Sequence, residues 1–179
     1  MSDYNIKVTG DAQTYGDGAT RNSKEGKGRF DLIPLEPFTR LLDLLDNLDF
    51  VGGFVTRPKS ERMRKVYSQA LNENYATAII MIALFDLDVT DAECPDEDVM
   101  TMTAILEMMK DLAIHFEKGA KIYGEHNCEK GIPLWSFRDS GIRHLTQFLL
   151  GETDENHEIA AIWNFWMAEW TIIMTSKSE

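Results

Sequence analysis

The sequence predicts an all-α protein, a helical bundle of about five helices with an extended N-terminal arm. Three observations carry this expectation. Apolar residues recur at three- and four-residue spacing over most of the chain after residue 30. No alternation of period two runs through that stretch. Glycine, proline and short polar clusters separate the periodic segments by brief connections, as in a bundle.

At 179 residues, 44% of them hydrophobic and 27% charged, the chain has the size and composition of one globular domain. Its organisation reads as an arm over residues 1–30 and one helical domain over 31–179. The arm holds Gly10, Gly16, Gly18, Gly26 and Gly28 among Ser, Thr, Asn and Asp, a composition that favours coil over helix.

The first helix is expected from Pro34, as a first-turn proline, through Leu35, Phe38, Leu41, Leu42 and Leu45, ending near Leu48 before Gly52-Gly53. The second follows Pro58, with Ser60 as N-cap and Glu61 in its first turn, and continues through Val66, Tyr67, Ala70 and Leu71 into the apolar run Ala76–Phe85. Residues 86–98 carry seven acids and no base, a solvated connection whose last acids suit the positive end of the next helix. That third helix bears Met102, Ile105, Met109, Ala113, Phe116 and Ala120 on one face and stops near Gly124. A fourth, capped by Ser136, ends at Gly151, and a fifth runs from about Asp154 through Ile159, Trp163, Met167, Trp170 and Met174.

The net charge is −12, and the arm is slightly positive, so the helical domain holds −13. That balance excludes nucleic acid polymers and anionic membranes as nonspecific partners, since both need a cationic face. It leaves room for a small anionic ligand in a cleft with local Lys, Arg or metal. Cys94 and Cys128 build no disulfide framework and no zinc spacing, and the N-terminus lacks a signal-peptide pattern, so a cytoplasmic setting is expected. The apolar run Ala76–Phe85 is too short to span a bilayer. Together with the tryptophan-rich last helix it predicts a homo-oligomer, because both are more apolar than one small bundle needs.

Chemistry-bearing residues concentrate between Phe116 and Trp170. Glu117 and Lys121 share a helix face, either as a surface ion pair or as part of a site. Tyr123 closes that helix, and the loop that follows brings His126, Asn127 and Lys130 to the same end of the bundle. Arg143 is either neutralised by Asp139 four residues earlier or free to grip a phosphate with its planar fork. His144 lies near the apolar side and reads as a core histidine. Glu152, Asp154 and Glu155 either complement the macrodipole of the last helix or supply oxygens to a hard cation such as Mg²⁺. His157 and Asn164 share one flank of that helix, and a buried Asn164 needs partners, in backbone or in a base edge.

Three ordered blocks resemble a known family. They are Arg29-Phe30-Asp31-Leu32-Ile33-Pro34; Gly119-Ala120-Lys121-Ile122-Tyr123-Gly124-Glu125-His126-Asn127 with Lys130-Gly131-Ile132-Pro133; and Arg143-His144-Leu145, Gly151-Glu152, Asp154-Glu155-Asn156-His157, Ala161-Ile162-Trp163-Asn164. Together they resemble the N-terminal domain of dATP/dGTP diphosphohydrolases, a phage and prophage family similar in activity to the MazG-like all-α pyrophosphohydrolases. Cys128 stands where the family pattern has tryptophan, and relative to that pattern an inserted helical segment at about 50–105 separates the first block from the second. The MazG-type pair of acidic motifs has only Glu152-x-x-Glu155 as a counterpart.

The resemblance implies Mg²⁺-dependent (or Mn²⁺-dependent) hydrolysis of a purine deoxynucleoside triphosphate to monophosphate and pyrophosphate, in a host cytoplasm if the protein is phage-encoded. Glu117, Glu152, Asp154 and Glu155 are then the metal ligands, with Glu117 and Glu155 as general-base candidates. Lys121, Arg143 and His126 face the phosphates, Asn127, His157 and Asn164 orient sugar or base, and Tyr123 and Lys130 complete the nucleotide-binding set. Two other classes stand beside it: a protein that sequesters a nucleotide without chemistry, and a helical assembly protein.

Overall fold

A computed structural model describes residues 12–14, 16–22, 25–46, 53–87 and 97–178. The helices are α1 (Glu36–Leu45), α2 (Lys59–Leu71), α3 (Tyr75–Ala83), α4 (Glu97–Tyr123), α5 (Leu134–Leu150) and α6 (His157–Ser176), with a helical turn at 53–55 and short 3₁₀ turns at Phe30–Leu32 and Asn127–Glu129. The all-α architecture is as expected. The expected first-helix end near Leu48, the acids of 88–96 with Cys94, and residues 1–11 lie outside the described residues.

The arm holds local structure that its composition does not announce. Ala12–Thr14 (β1) and Thr20–Asn22 (β2) pair antiparallel, Ala12 opposite Asn22, around a turn with Gly18 at φ +83°. The chain then lies against α4, where the Arg29 amide donates to the Ala113 carbonyl at 3.0 Å.

Several element boundaries differ from expectation. α1 starts at Glu36 and carries Pro37, not Pro34, in its first turn, where a missing N–H costs nothing. The second expected helix is two. Asn72 and Glu73 interrupt it, and Glu73 adopts φ +62°, a left-handed conformation that costs a non-glycine residue about 1–2 kcal/mol. An ion pair from Arg138 of α5 to the Glu73 carboxylate, at 2.5 Å, holds the break. α5 starts directly after Pro133, whose φ of −63° directs the chain into the helix, so Ser136 is no cap. α6 starts at His157, three residues later than expected. Its cap is Asn156, whose side-chain oxygen accepts from the Ile159 amide at 3.1 Å. Asn156→Ala is expected to lower stability by about 1 kcal/mol, read as a shift in the urea midpoint with unchanged slope.

The core centres on α6, which packs most extensively on α5 and then on α3. Gly141 of α5 permits the first contact, since a Cβ there would fall 2.5 Å from the Phe165 ring. The apolar run is spent inside the chain: Ala78, Ile79, Ile80 and Leu84 have no exposure, and Tyr75 stacks on Phe165 at 5.5 Å. The same holds for Phe165, Trp166, Met167 and Ala168 of α6. The apolarity that suggested an oligomer is thus satisfied within one chain. No described helix is long and apolar enough to cross a membrane.

Candidate functional site

Two neighbouring features are built where α4, α5 and α6 meet. The first is a cavity of about 320 Å³ at the C-terminal end of α4. Leu32, Phe116, Ile132 and Trp163 give it an apolar wall, Gly119 and Ala120 a flat one, and Tyr123 lines it from the last turn of α4, with His126 and Asn127 from the following loop. Trp163 is fixed by three rings: His115 at 5.7 Å, Phe137 edge-on at 5.9 Å and Phe116 edge-on at 6.0 Å. Such a wall suits a flat aromatic ligand. Cys128 is buried in the same wall, and burial pushes its thiol up to about 11, so it is inert at neutral pH.

His126 stands in the left-handed region (φ +55°) after Gly124 (φ +89°), and its Nδ1 meets the Glu129 carboxylate at 2.6 Å. That contact fixes the loop that carries Asn127. Lys130 is exposed and does not line the cavity.

The second feature is a cluster of histidines and acids at the α5–α6 turn. Gly151 (φ +76°) reverses the chain, so His144, seven residues before it, faces His157, six residues after it. His157 is 2% exposed. Its Nε2 donates to Asp154 Oδ1 at 2.8 Å, which holds the Asp154 carboxyl below its usual range. Its Nδ1 lies 3.2 Å from His144 Nδ1 and 3.4 Å from Glu155 Oε1. His144 Nδ1 is 3.2 Å from the same Glu155 oxygen. Burial and the adjacent Arg143 push His144 below the ordinary histidine range. Glu152 joins Asp154 and His157 in a second group whose ligand atoms all lie within 4.8 Å of one another. The two features are electrostatically connected, since His115 of the cavity wall feels both His144 and Glu155.

The expected site residues therefore divide. Tyr123, His126 and Asn127 share the cavity; Glu152, Asp154, Glu155 and His157 share the cluster. Asn164 is 6% exposed and donates to the Ala160 carbonyl of its own helix at 2.8 Å. Arg143 is exposed and pairs with no carboxylate among the described residues, Asp139 included; its contact is Gln147 at 3.5 Å, which in turn donates to Glu152 at 3.0 Å.

Glu117 and Lys121 are drawn elsewhere. Glu117 is 6% exposed, covered by the arm. Its two oxygens accept from the amides of Gly26 at 2.8 Å and Gly28 at 3.0 Å, while Lys121 sits at 3.2 Å and also pairs with Glu25 at 3.1 Å. The Gly26 amide in particular holds the Glu117 carboxyl below its usual range, against the opposing effect of burial.

Sequence reasoning did not anticipate His144 and His115 as site residues. The available signal for His144 was its position opposite His157 about Gly151, which places both near one end of an antiparallel helix pair.

The comparisons with known proteins bear on this same region. Residues 90–178 match the family described as dATP/dGTP diphosphohydrolase, N-terminal, and that span contains the second and third sequence blocks but not Arg29–Pro34. No curated protein and no solved structure matches the chain. The matched segment carries the histidine and carboxylate cluster and all of the cavity lining except Leu32, and through it the chain is similar to the dATP/dGTP diphosphohydrolase N-terminal family.

Proposed function

We propose that the protein hydrolyses a purine deoxynucleoside triphosphate to the monophosphate and pyrophosphate. The observation that carries this reading is the adjacency of an aromatic-walled cavity to a carboxylate and histidine cluster, joined through α6. Trp163 and His157 are six residues apart on that helix, about 9 Å along its axis. A base seated against Trp163 would direct its phosphates toward the α5–α6 turn.

In this reading Asn127 and Tyr123 address the base or sugar at the cavity mouth. Arg143, without a carboxylate partner among the described residues, offers its fork to a phosphate as a preorganised positive charge. Lys130 adds charge and His126 a ring nitrogen from the loop, while Asn164 stands beside Trp163 with its amide donor held by the Ala160 carbonyl of its own helix. Mg²⁺, or Mn²⁺ in its place, fits the exposed oxygens of Glu152 and Asp154, because such ions take one or two carboxylates and complete their shell with water and phosphate. Bound there, the ion would supply charge for the triphosphate and a water of lowered pKa. Glu155, whose side chain is half exposed at the same turn, is the base that accepts the proton of the attacking water. Glu117 and Lys121 serve the arm, and reach substrate only if the arm lets go.

The test is direct. The purified chain with Mg²⁺ is incubated with dATP and dGTP, and the products are separated after denaturation. Monophosphate and pyrophosphate are expected. A nucleotide returned intact from a stable complex points to sequestration, and no binding at all points to an assembly role. Gly119→Leu isolates the cavity, since nothing lies within 4 Å of a Cβ built at Gly119. The variant is expected to fold normally and to raise KM at least about tenfold, the loss of some 1.4 kcal/mol of base contact. An unchanged KM places the base elsewhere.

A further inference from the structure

We infer that His144, Glu155 and His157 form a site for a divalent transition-metal ion, with Zn²⁺ as its reference occupant. This site differs in donor chemistry from the carboxylate oxygens assigned to Mg²⁺, and it stands whether or not the chain hydrolyses nucleotides. The three facing atoms, two imidazole nitrogens and one carboxylate oxygen, define a triangle with edges of 3.2, 3.2 and 3.4 Å. Zinc binds such nitrogen and oxygen atoms at about 2.0–2.2 Å, and the edge of a tetrahedron with those bonds is about 3.3–3.6 Å. An octahedral Mg²⁺ at about 2.1 Å would bring neighbouring ligands to about 3.0 Å and would disfavour two nitrogens. The observed triangle is thus close to one face of a tetrahedral shell, with the fourth vertex left for water or a phosphate oxygen.

The protonation pattern supports the same conclusion. Asp154 accepts from His157 Nε2, so that nitrogen carries a proton, and in the tautomer this contact selects Nδ1 presents a lone pair to the triangle. His144 Nδ1 has one proton at most to offer, to either His157 or Glu155. Two of the three edges of the triangle therefore remain without a hydrogen and set lone pairs against each other. A cation at the centre removes that repulsion. The Asp154–His157 contact is also the arrangement that orients metal-bound histidines: a carboxylate on the ring nitrogen remote from the ion. At this site Asp154 is accordingly a positioning residue, while His144, Glu155 and His157 are ligands, and Glu155 gives up the base role proposed above when the ion is bound.

The full-length chain, free of any polyhistidine tag, is stripped with chelator, incubated separately with Zn²⁺, Co²⁺ and Mg²⁺, desalted and assayed for bound metal. One equivalent of Zn²⁺ or Co²⁺ per chain is expected, with the intense visible absorption of four-coordinate Co²⁺, and no retained Mg²⁺. Glu155→Gln and Asp154→Asn change exposed side chains and are expected to leave the thermal transition of the metal-free chain in place. Asp154→Asn should weaken Zn²⁺ binding about 10–100-fold, and Glu155→Gln should do so at least as much. The inference is overturned by substoichiometric Zn²⁺ and Co²⁺, by retention of Mg²⁺ alone, or by parental affinity in both variants. Because the readout is metal content, these outcomes are independent of whether any nucleotide is cleaved.

Discussion

Replacing Trp166 with alanine is expected to lower the unfolding free energy by about 3–5 kcal/mol, the usual cost of emptying a large aromatic site in a close-packed core. For a chain of this size that corresponds to a fall in Tm of roughly 10–15 °C. Trp166 has no exposed surface, and its ring lies 6.5 Å from that of Phe38. Its indole N–H donates to the Pro34 carbonyl at 2.8 Å, which ties the segment before α1 to the central helix. Two losses therefore coincide: the cavity, and an acceptor left without its donor. Trp166→Phe separates them. It retains most of the ring volume and removes the indole donor, and is expected to cost less than half as much. Equilibrium urea unfolding of the three proteins measures this; equal stability of parent and alanine variant would show that α6 is not the centre of the core.

Where a helix lies was legible because burial imposes its own period on the sequence. Ile105, Met109, Ala113 and Phe116 recur at the spacing of one face of α4, and all are buried. What was illegible depends on partners far away in the chain. Leu71-Asn72-Glu73-Asn74-Tyr75 has no glycine or proline, and the positive φ of Glu73 is held by Arg138, 65 residues on. The start of α6 is fixed by Asn156, whereas acids at 152–155 suggested an earlier start from charge alone. The candidate site shows the same division. Tyr123, His126 and Asn127 are neighbours in sequence and meet at one cavity. His144 read as a core residue because burial is all that local pattern reports; its pairing with His157 requires the antiparallel return about Gly151. Glu117 and Lys121 were legible as a pair, but the glycines that claim Glu117 lie 89 and 91 residues before it.

That last contact leads to the second large effect. Glu117→Gln is expected to release the arm from α4. Hydrogen bonds to a carboxylate are worth about 1.5–3 kcal/mol each, and Gly26 and Gly28 each donate one. Losing even one should speed amide exchange at those two glycines at least about tenfold, read by NMR or mass spectrometry. Acid should do the same to the parent protein. The Glu117 carboxyl is held below its ordinary 4.5, so the contribution of this clamp is complete above that value and disappears as pH falls through the lowered one. Gly28→Ala attacks the opposite side of the contact. Gly28 holds φ +82°, and a Cβ there would lie 2.9 Å from Ala113 Cβ, so the variant should reproduce the loosened arm with Glu117 intact. Together the two substitutions decide what Glu117 does. A clamp predicts that both variants loosen the arm and that both alter the cavity mouth, since Gly119, Ala120 and Tyr123 follow Glu117 on α4. A metal ligand or general base instead predicts that Glu117→Gln abolishes turnover while the glycine amides keep their protection, and that Gly28→Ala leaves turnover untouched. The carboxylate already accepts two amides and faces a lysine, leaving little capacity for a cation, and on that physical ground the first outcome is the expected one.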